Sequence, residues 1–213
     1  MKKLILIFTV MFAMAMLFAE ESPVNDYFDN PSNQTYTAAW QFCSNYLAND
    51  STMVNIKILM ANIAMLESKR LINEISTMAD TLSAGVKFQY ANVLLAQNRL
   101  IEAIKQYNAL NTAYPGWSCP FRHKGEAYYR LQNYKEAEAS LAKAIETNLE
   151  HYDAYVWMAR TQYQMKKYKK ALTYLKTALT LNPEAEESPD EMISEDSIKA
   201  LHDELLVKTG KKK

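Results

Sequence analysis

Tyr134-Lys135-Glu136-Ala137-Glu138-Ala139-Ser140-Leu141 decides the fold, because its frame returns at a step of 34 residues in both directions. The earlier copy reads Leu100-Ile101-Glu102-Ala103-Ile104-Lys105-Gln106-Tyr107 and the later one Tyr168-Lys169-Lys170-Ala171-Leu172-Thr173-Tyr174-Leu175. Ala103, Ala137 and Ala171 hold one position in the three copies, with a large apolar residue three before and another four after. That spacing puts the conserved side chains of each copy on one helical face. A fixed period of this length describes helical hairpins that stack, since one hairpin cannot bury its apolar face alone.

Working outward, each copy gains a helix in front of the quoted one. Tyr90, Ala91, Leu94 and Leu95 keep helical spacing ahead of Leu100, as do Phe121, Gly125, Tyr128 and Tyr129 ahead of Tyr134, and Tyr155, Met158, Ala159 and Tyr163 ahead of Tyr168. Ala91, Gly125 and Ala159 are equivalent, and a larger side chain there would hold the second helix away. Pro115 and Pro183 end the second helices of the first and last copies. The units are therefore 84–117, 118–151 and 152–185.

The pattern resembles the tetratricopeptide repeat family over residues 84 to 183, with Leu110 and Leu149 departing from the Ala and Pro that the family favours. The resemblance implies an all-α fold, a right-handed superhelical solenoid of antiparallel helix pairs with capping helices. It also implies that the first helix of each pair lines a concave groove, and that function lies in groove side chains.

Further units flank this array. Ile56-Lys57 and Met60-Ala61-Asn62-Ile63 parallel Val86-Lys87 and Tyr90-Ala91-Asn92-Val93, so 54–83 reads as a degenerate repeat with Glu74 at the packing-alanine position. Tyr36, Ala39, Cys43 and Leu47 mark an amino-terminal capping helix over 35–48. At the other end, Ser188-Pro189-Asp190-Glu191 has the order of a capped helix start. A carboxy-terminal capping helix is expected over 188–207, with Ile193, Ser197, Leu201 and Leu205 on its packing face, Gly210 as terminator and 208–213 as a basic tail. The acidic residues Glu184, Glu186, Glu187, Asp190, Glu191, Glu195 and Asp196 read as a solvated linker and helix start.

Lys2-Lys3 precede an apolar run from Leu4 to Phe18, then Ala19 and Glu20-Glu21. The run is shorter than the ~20 residues that span a bilayer, so 1–19 reads as a cleaved signal peptide of bacterial type. This implies export to the periplasm or cell envelope. Pro23, Pro31 and their Asn and Ser neighbours make 20–34 a flexible leader. Cys43 and Cys119, the only cysteines, fall several helices apart and are expected to stay unbridged.

No constellation for catalysis emerges. His123, His151 and His202 lie in separate elements, no phosphate loop or nucleophile elbow occurs, and no metal or cofactor is expected. With 24 basic and 24 acidic residues the chain lacks the electrostatic footprint for nucleic acid. The reading is a non-enzymatic protein-protein interaction module, binding a peptide or protein through Asn62, Phe88, Asn92, Arg122, Glu126, Tyr129, Arg130, Trp157, Arg160 and Tyr163. The family's carboxylate clamp is not expected, since Phe88 and Asp153 replace the basic residues it uses. The alternative is a fixed structural subunit of an envelope assembly, using convex or terminal surfaces. Solvent-facing Tyr129, Trp157 and Tyr163 would favour the groove, and an apolar patch elsewhere would favour assembly.

Overall fold

The computed structural model describes residues 22–49, 54–181 and 194–210. Its helices are α1 (Pro23–Asp29), α2 (Asn33–Asn49), α3 (Val54–Thr77), α4 (Ala84–Ala96), α5 (Leu100–Ala113), α6 (Ser118–Arg130), α7 (Tyr134–Thr147), α8 (Tyr152–Gln164), α9 (Tyr168–Thr180) and α10 (Glu195–Lys208), with a 3-10 turn at Ala79–Thr81. The described residues contain no strand, and the fold is the all-α helix-pair solenoid that the period implies. Two units are separated between Ala79 and Asp80.

In the second unit α4–α5, α6–α7 and α8–α9 are the three helix pairs, whose first helices start at Ala84, Ser118 and Tyr152 and second helices at Leu100, Tyr134 and Tyr168, a step of 34 each time. One turn geometry joins the two helices of every pair. Asn98, Gln132 and Lys166 have φ of 59°, 59° and 60°, the only positive values on non-glycine residues among those described. Around them the N–H groups of Arg99, Asn133 and Lys167 donate to the carbonyls of Leu94, Tyr128 and Gln162 at 2.9 Å each. The preceding N–H groups of Asn98, Gln132 and Lys166 donate to Leu95, Tyr129 and Tyr163 at 2.8–3.0 Å. This is the Schellman termination, which satisfies helix-end carbonyls by turning one residue left-handed. The same termination thus recurs at all three turns.

Small residues then let the pair close. Ala91 and Ala159 are fully buried, as are Ala103, Ala137 and Ala171 on the second helices. At Gly125 a Cβ would lie 2.5 Å from Leu141 Cγ. The joint between α6 and α7 therefore needs glycine for space. Leu141, Tyr155, Trp157, Met158, Leu172 and Leu175 form the main core, to which α10 adds Ile198, Leu201 and Leu205. The Ser194 side chain caps α10 by accepting from the Ser197 N–H at 3.4 Å, and Gly210 beyond its end has φ of +70°. A single helix over 188–207 was expected, but Ser194 is extended and the helix starts at Glu195, since Ser194 and not Ser188 supplies the cap; Ser188-Pro189 themselves lie outside the described residues.

The first unit corrects two expectations. Residues 20–34 were expected to be a flexible leader, yet Pro23–Asp29 is helical. Pro23 occupies the first helical position, where its missing N–H costs nothing, and Ser22 caps by accepting from the Asn25 N–H at 3.2 Å. Val24 and Tyr27 are buried with Ala39 and Cys43 of α2 and Ile56 and Ile63 of α3. The Tyr27 hydroxyl donates to Glu67 at 3.3 Å, and burial together with that carboxylate pushes it up to about 12.

The second correction concerns 54–83, read as a degenerate helix pair. It is one helix of 24 residues, α3. No residue here turns left-handed, and Arg70 bridges the place where a turn would fall, pairing with Glu67 at 2.7 Å and Glu74 at 3.1 Å. Pairs at these separations favour continued helix, so Glu74 is part of a helix-extending cluster rather than a worn packing position.

Candidate functional site on the first helices

Helices α4, α6 and α8 are neighbours as well as partners of their own second helices, so the side chains between them form one face. Its centre is charged. Arg122 on α6 is 4% exposed and Glu126, one turn on, is 3% exposed. Arg122 Nη1 donates to Glu126 at 2.6 Å and Nη2 to Asp153 of α8 at 3.1 Å. Arg130, a further turn along α6, holds the other Glu126 oxygen at 2.6 Å. One buried carboxylate thus sits between two guanidinium groups. The spacing 122, 126, 130 is a ladder of opposite charges at i, i+4 on a single helix face, and that signal was present in the sequence.

Trp157 lies against this ladder. Its ring is 5.9 Å from the Arg122 guanidinium carbon and 5.2 Å from the Tyr129 ring. Trp157 is 1% exposed, so it is core, with Tyr129 half-buried over it. Solvent exposure of Trp157, which would have favoured the groove, is not found, and Arg122 and Arg160 are buried with it, because the first helices lie side by side and α8 covers positions of α6 that an isolated hairpin would expose. Arg160 is 9% exposed and donates to Ser197 of α10 at 2.7 Å, while the Tyr163 hydroxyl donates to Glu204 of α10. That contact and burial push the Tyr163 hydroxyl up to about 12. The carboxy-terminal helix therefore occupies the outer end of this face.

At the opposite end the ring of Phe88 packs on Trp117 at 4.8 Å and on His123 at 5.3 Å. His123 also stacks on Tyr107 at 5.9 Å. Enclosure by these rings, with Arg122 adjacent, holds the imidazole well below its ordinary range. Asn92 accepts a hydrogen bond from the Tyr107 hydroxyl at 2.7 Å, a bond within the first pair. Asn62 is exposed and lies in the other unit. Of the ten residues singled out, Arg122, Glu126, Tyr129, Arg130 and Trp157 form one cluster, Arg160 and Tyr163 engage α10, and Phe88 and Asn92 belong to the first joint. Ser197 was placed on the packing face of this helix by its spacing, whereas Glu204 was missed as a partner, since nothing in the spacing says where the rest of α10 docks.

Cys43 and Cys119 are both free thiols. Among the described residues no group of three His, Cys, Asp or Glu side chains is placed to hold a metal ion, and no helix is long and apolar enough to cross a membrane.

Comparison with known proteins agrees with this architecture. Residues 123–186 match the tetratricopeptide repeat family, and no curated protein matches the chain. Among solved structures, the tetratricopeptide domain of Sgt2 from Aspergillus fumigatus is similar at a TM-score of 0.53 and 14% identity, covering 60% of this chain and 79% of that one. The first such domain of Spaghetti (RPAP3), bound to the HSP90 peptide SRMEEVD, is similar at 0.52 and 20% identity, covering 60% and 93%. MamA is similar at 0.50 and 16% identity, covering 70% and 89%. At these identities the likeness concerns the fold.

Proposed function

We propose that the chain is a protein-interaction module, not an enzyme, that takes a segment of a partner protein along α4, α6 and α8. The observation that carries this is the Glu126 clamp. Arg130 is held at 2.6 Å by a carboxylate that is itself buried, yet its own side chain keeps 35% exposure. An exposed cation fixed in this way loses little freedom on binding, which is what makes an anchor effective. Half-buried Tyr129 and Phe88 lie on the same face as Arg130 and supply amphipathic rings for apolar side chains. Domains of the same fold that carry bound peptides, such as the first one of RPAP3, support binding of this kind.

A second reading has its own observation. On α3, Val54, Ile58 and Met65 are 62%, 55% and 63% exposed and share the helix face opposite Ile56 and Ile63. An apolar stripe of this kind suits a permanent assembly contact. We place either activity in a bacterial cell envelope, on the strength of the export-type start at Lys2-Lys3 through Ala19.

The discriminating experiment is capture of partners by immobilised protein from the cells that make it, comparing the parent with Arg130→Glu and with Ile58→Glu/Met65→Glu. Loss with Arg130→Glu alone is expected. Loss with the α3 variant alone would assign function to the assembly surface.

A further inference from the structure

Away from the first helices, the turn between α8 and α9 and the end of α10 enclose an open hollow of about 380 Å³. Lys166, Lys167, Lys169 and Lys170 surround it, Lys208 reaches in from α10, and Tyr168 forms part of its wall. Lys208 Nζ lies 5.8 Å from the centre of the Tyr168 ring. Lys167 pairs with Glu138 at 3.1 Å. Lys170 also acts on the Glu138 carboxylate, and Lys166, Lys169 and Lys208 have no ion-pair partner among the described residues.

The repeat architecture does not call for this charge. Positions equivalent to Lys166, Lys167, Lys169 and Lys170 carry Asn98, Arg99, Ile101 and Glu102 in the first pair and Gln132, Asn133, Lys135 and Glu136 in the second. All three turns nonetheless have the same backbone. Glu102 and Glu136 also suit the first turn of a helix, whereas Lys170 opposes the helix dipole there. A lysine chosen against local preference, in a hollow where a second helix contributes another, is the kind of local conflict that function leaves behind.

We propose that this hollow is a docking site for a short acidic segment of a partner protein, with carboxylates paired to Lys166, Lys169, Lys170 and Lys208 and an apolar part of the segment against Tyr168. The zero formal net charge of the chain gives no long-range attraction for an extended polyanion, so the local cluster fits a few carboxylates and not a nucleic acid. The site is separate from the first-helix face and stands or falls independently of it.

The test uses full-length protein and fluorescein-labelled tetraglutamate, with tetraglutamine as the uncharged control, in fluorescence anisotropy at low salt. An exposed pair shifts an equilibrium by a factor of up to about five. Lys166→Gln/Lys169→Gln/Lys170→Gln/Lys208→Gln should therefore weaken tetraglutamate binding on the order of tenfold or more. Exposed lysines replaced elsewhere, Lys105→Gln/Lys135→Gln/Lys176→Gln, should leave binding unchanged. Circular dichroism verifies that both variants retain the parental helix content. Binding should also weaken as salt shortens the screening length. Equal binding of tetraglutamine, equal losses in the two lysine variants, or preferential binding of a DNA oligonucleotide would each overturn the proposal.

Discussion

Arg122→Ala is the substitution on which the reading of the first-helix face can be judged. Arg122 is almost wholly buried and bonds two carboxylates on two helices, Glu126 at 2.6 Å and Asp153 at 3.1 Å. Removing one partner of a buried ion pair ordinarily costs about 3–5 kcal/mol, because the remaining charge is left desolvated. Here the loss is smaller, since Glu126 keeps Arg130 at 2.6 Å and Asp153, 35% exposed, regains water. The guanidinium over Trp157 adds about 0.5–1 kcal/mol. The expected destabilisation is about 2–3 kcal/mol, equivalent to a fall in Tm of about 5–10 °C for a chain of this size. Glu126→Ala should cost more, because two arginines then lose their carboxylate. Arg122→Leu/Glu126→Leu should recover part of the difference, since an apolar pair leaves no buried charge. Urea unfolding followed by tryptophan fluorescence measures all three. Parental stability in Arg122→Ala would mean that the guanidinium is solvated and that α8 does not cover it.

Gly125→Ala should destabilise by about 1 kcal/mol, the overpacking against Leu141 outweighing the gain in helix propensity. Adding Leu141→Val should restore part of the loss, and a stabilised Gly125→Ala would refute the close joint. At Gln132 the left-handed backbone favours glycine, so Gln132→Gly should raise stability by about 0.5–1 kcal/mol and Gln132→Val should lower it, both read by chemical denaturation. His123 is held neutral below its ordinary 6.5 by its aromatic enclosure and by Arg122, His151 and Arg130, with Glu126 at 3.7 Å already claimed by two arginines. The unfolded chain thus takes up a proton near pH 6.5 that the folded chain refuses. Its contribution to stability is present above that pH and lost on acidification, and His123→Gln should flatten the decline between pH 7 and 5.

The array was legible because its constraints are periodic. Ala103, Ala137 and Ala171 gave the joints, and even the left-handed turns fall at the fixed step, on Asn98, Gln132 and Lys166. What failed lay where the period stops. Ile56 through Ile75 shares residues with the first unit, but likeness in apolar positions does not make a turn, and the Arg70 pairs with Glu67 and Glu74 carried the helix straight on. Pro23 looked like a loop residue and serves as a helix start. The site was half legible: membership of one face followed from register, while burial depended on how closely α6 and α8 approach. That distance is a tertiary property, and it turned Arg122 and Trp157 from expected contacts into the floor beneath them.

The proposed path of a partner along α4, α6 and α8 predicts contact with ring positions on that face. Photo-crosslinking tests it directly, with p-benzoylphenylalanine placed at Tyr129 in one variant and at Ile58 in another, each expressed in the cells that make the protein. A discrete crosslinked species is expected from position 129, abolished by Arg130→Glu, and none from position 58. A discrete species from position 58 with none from 129 would contradict it.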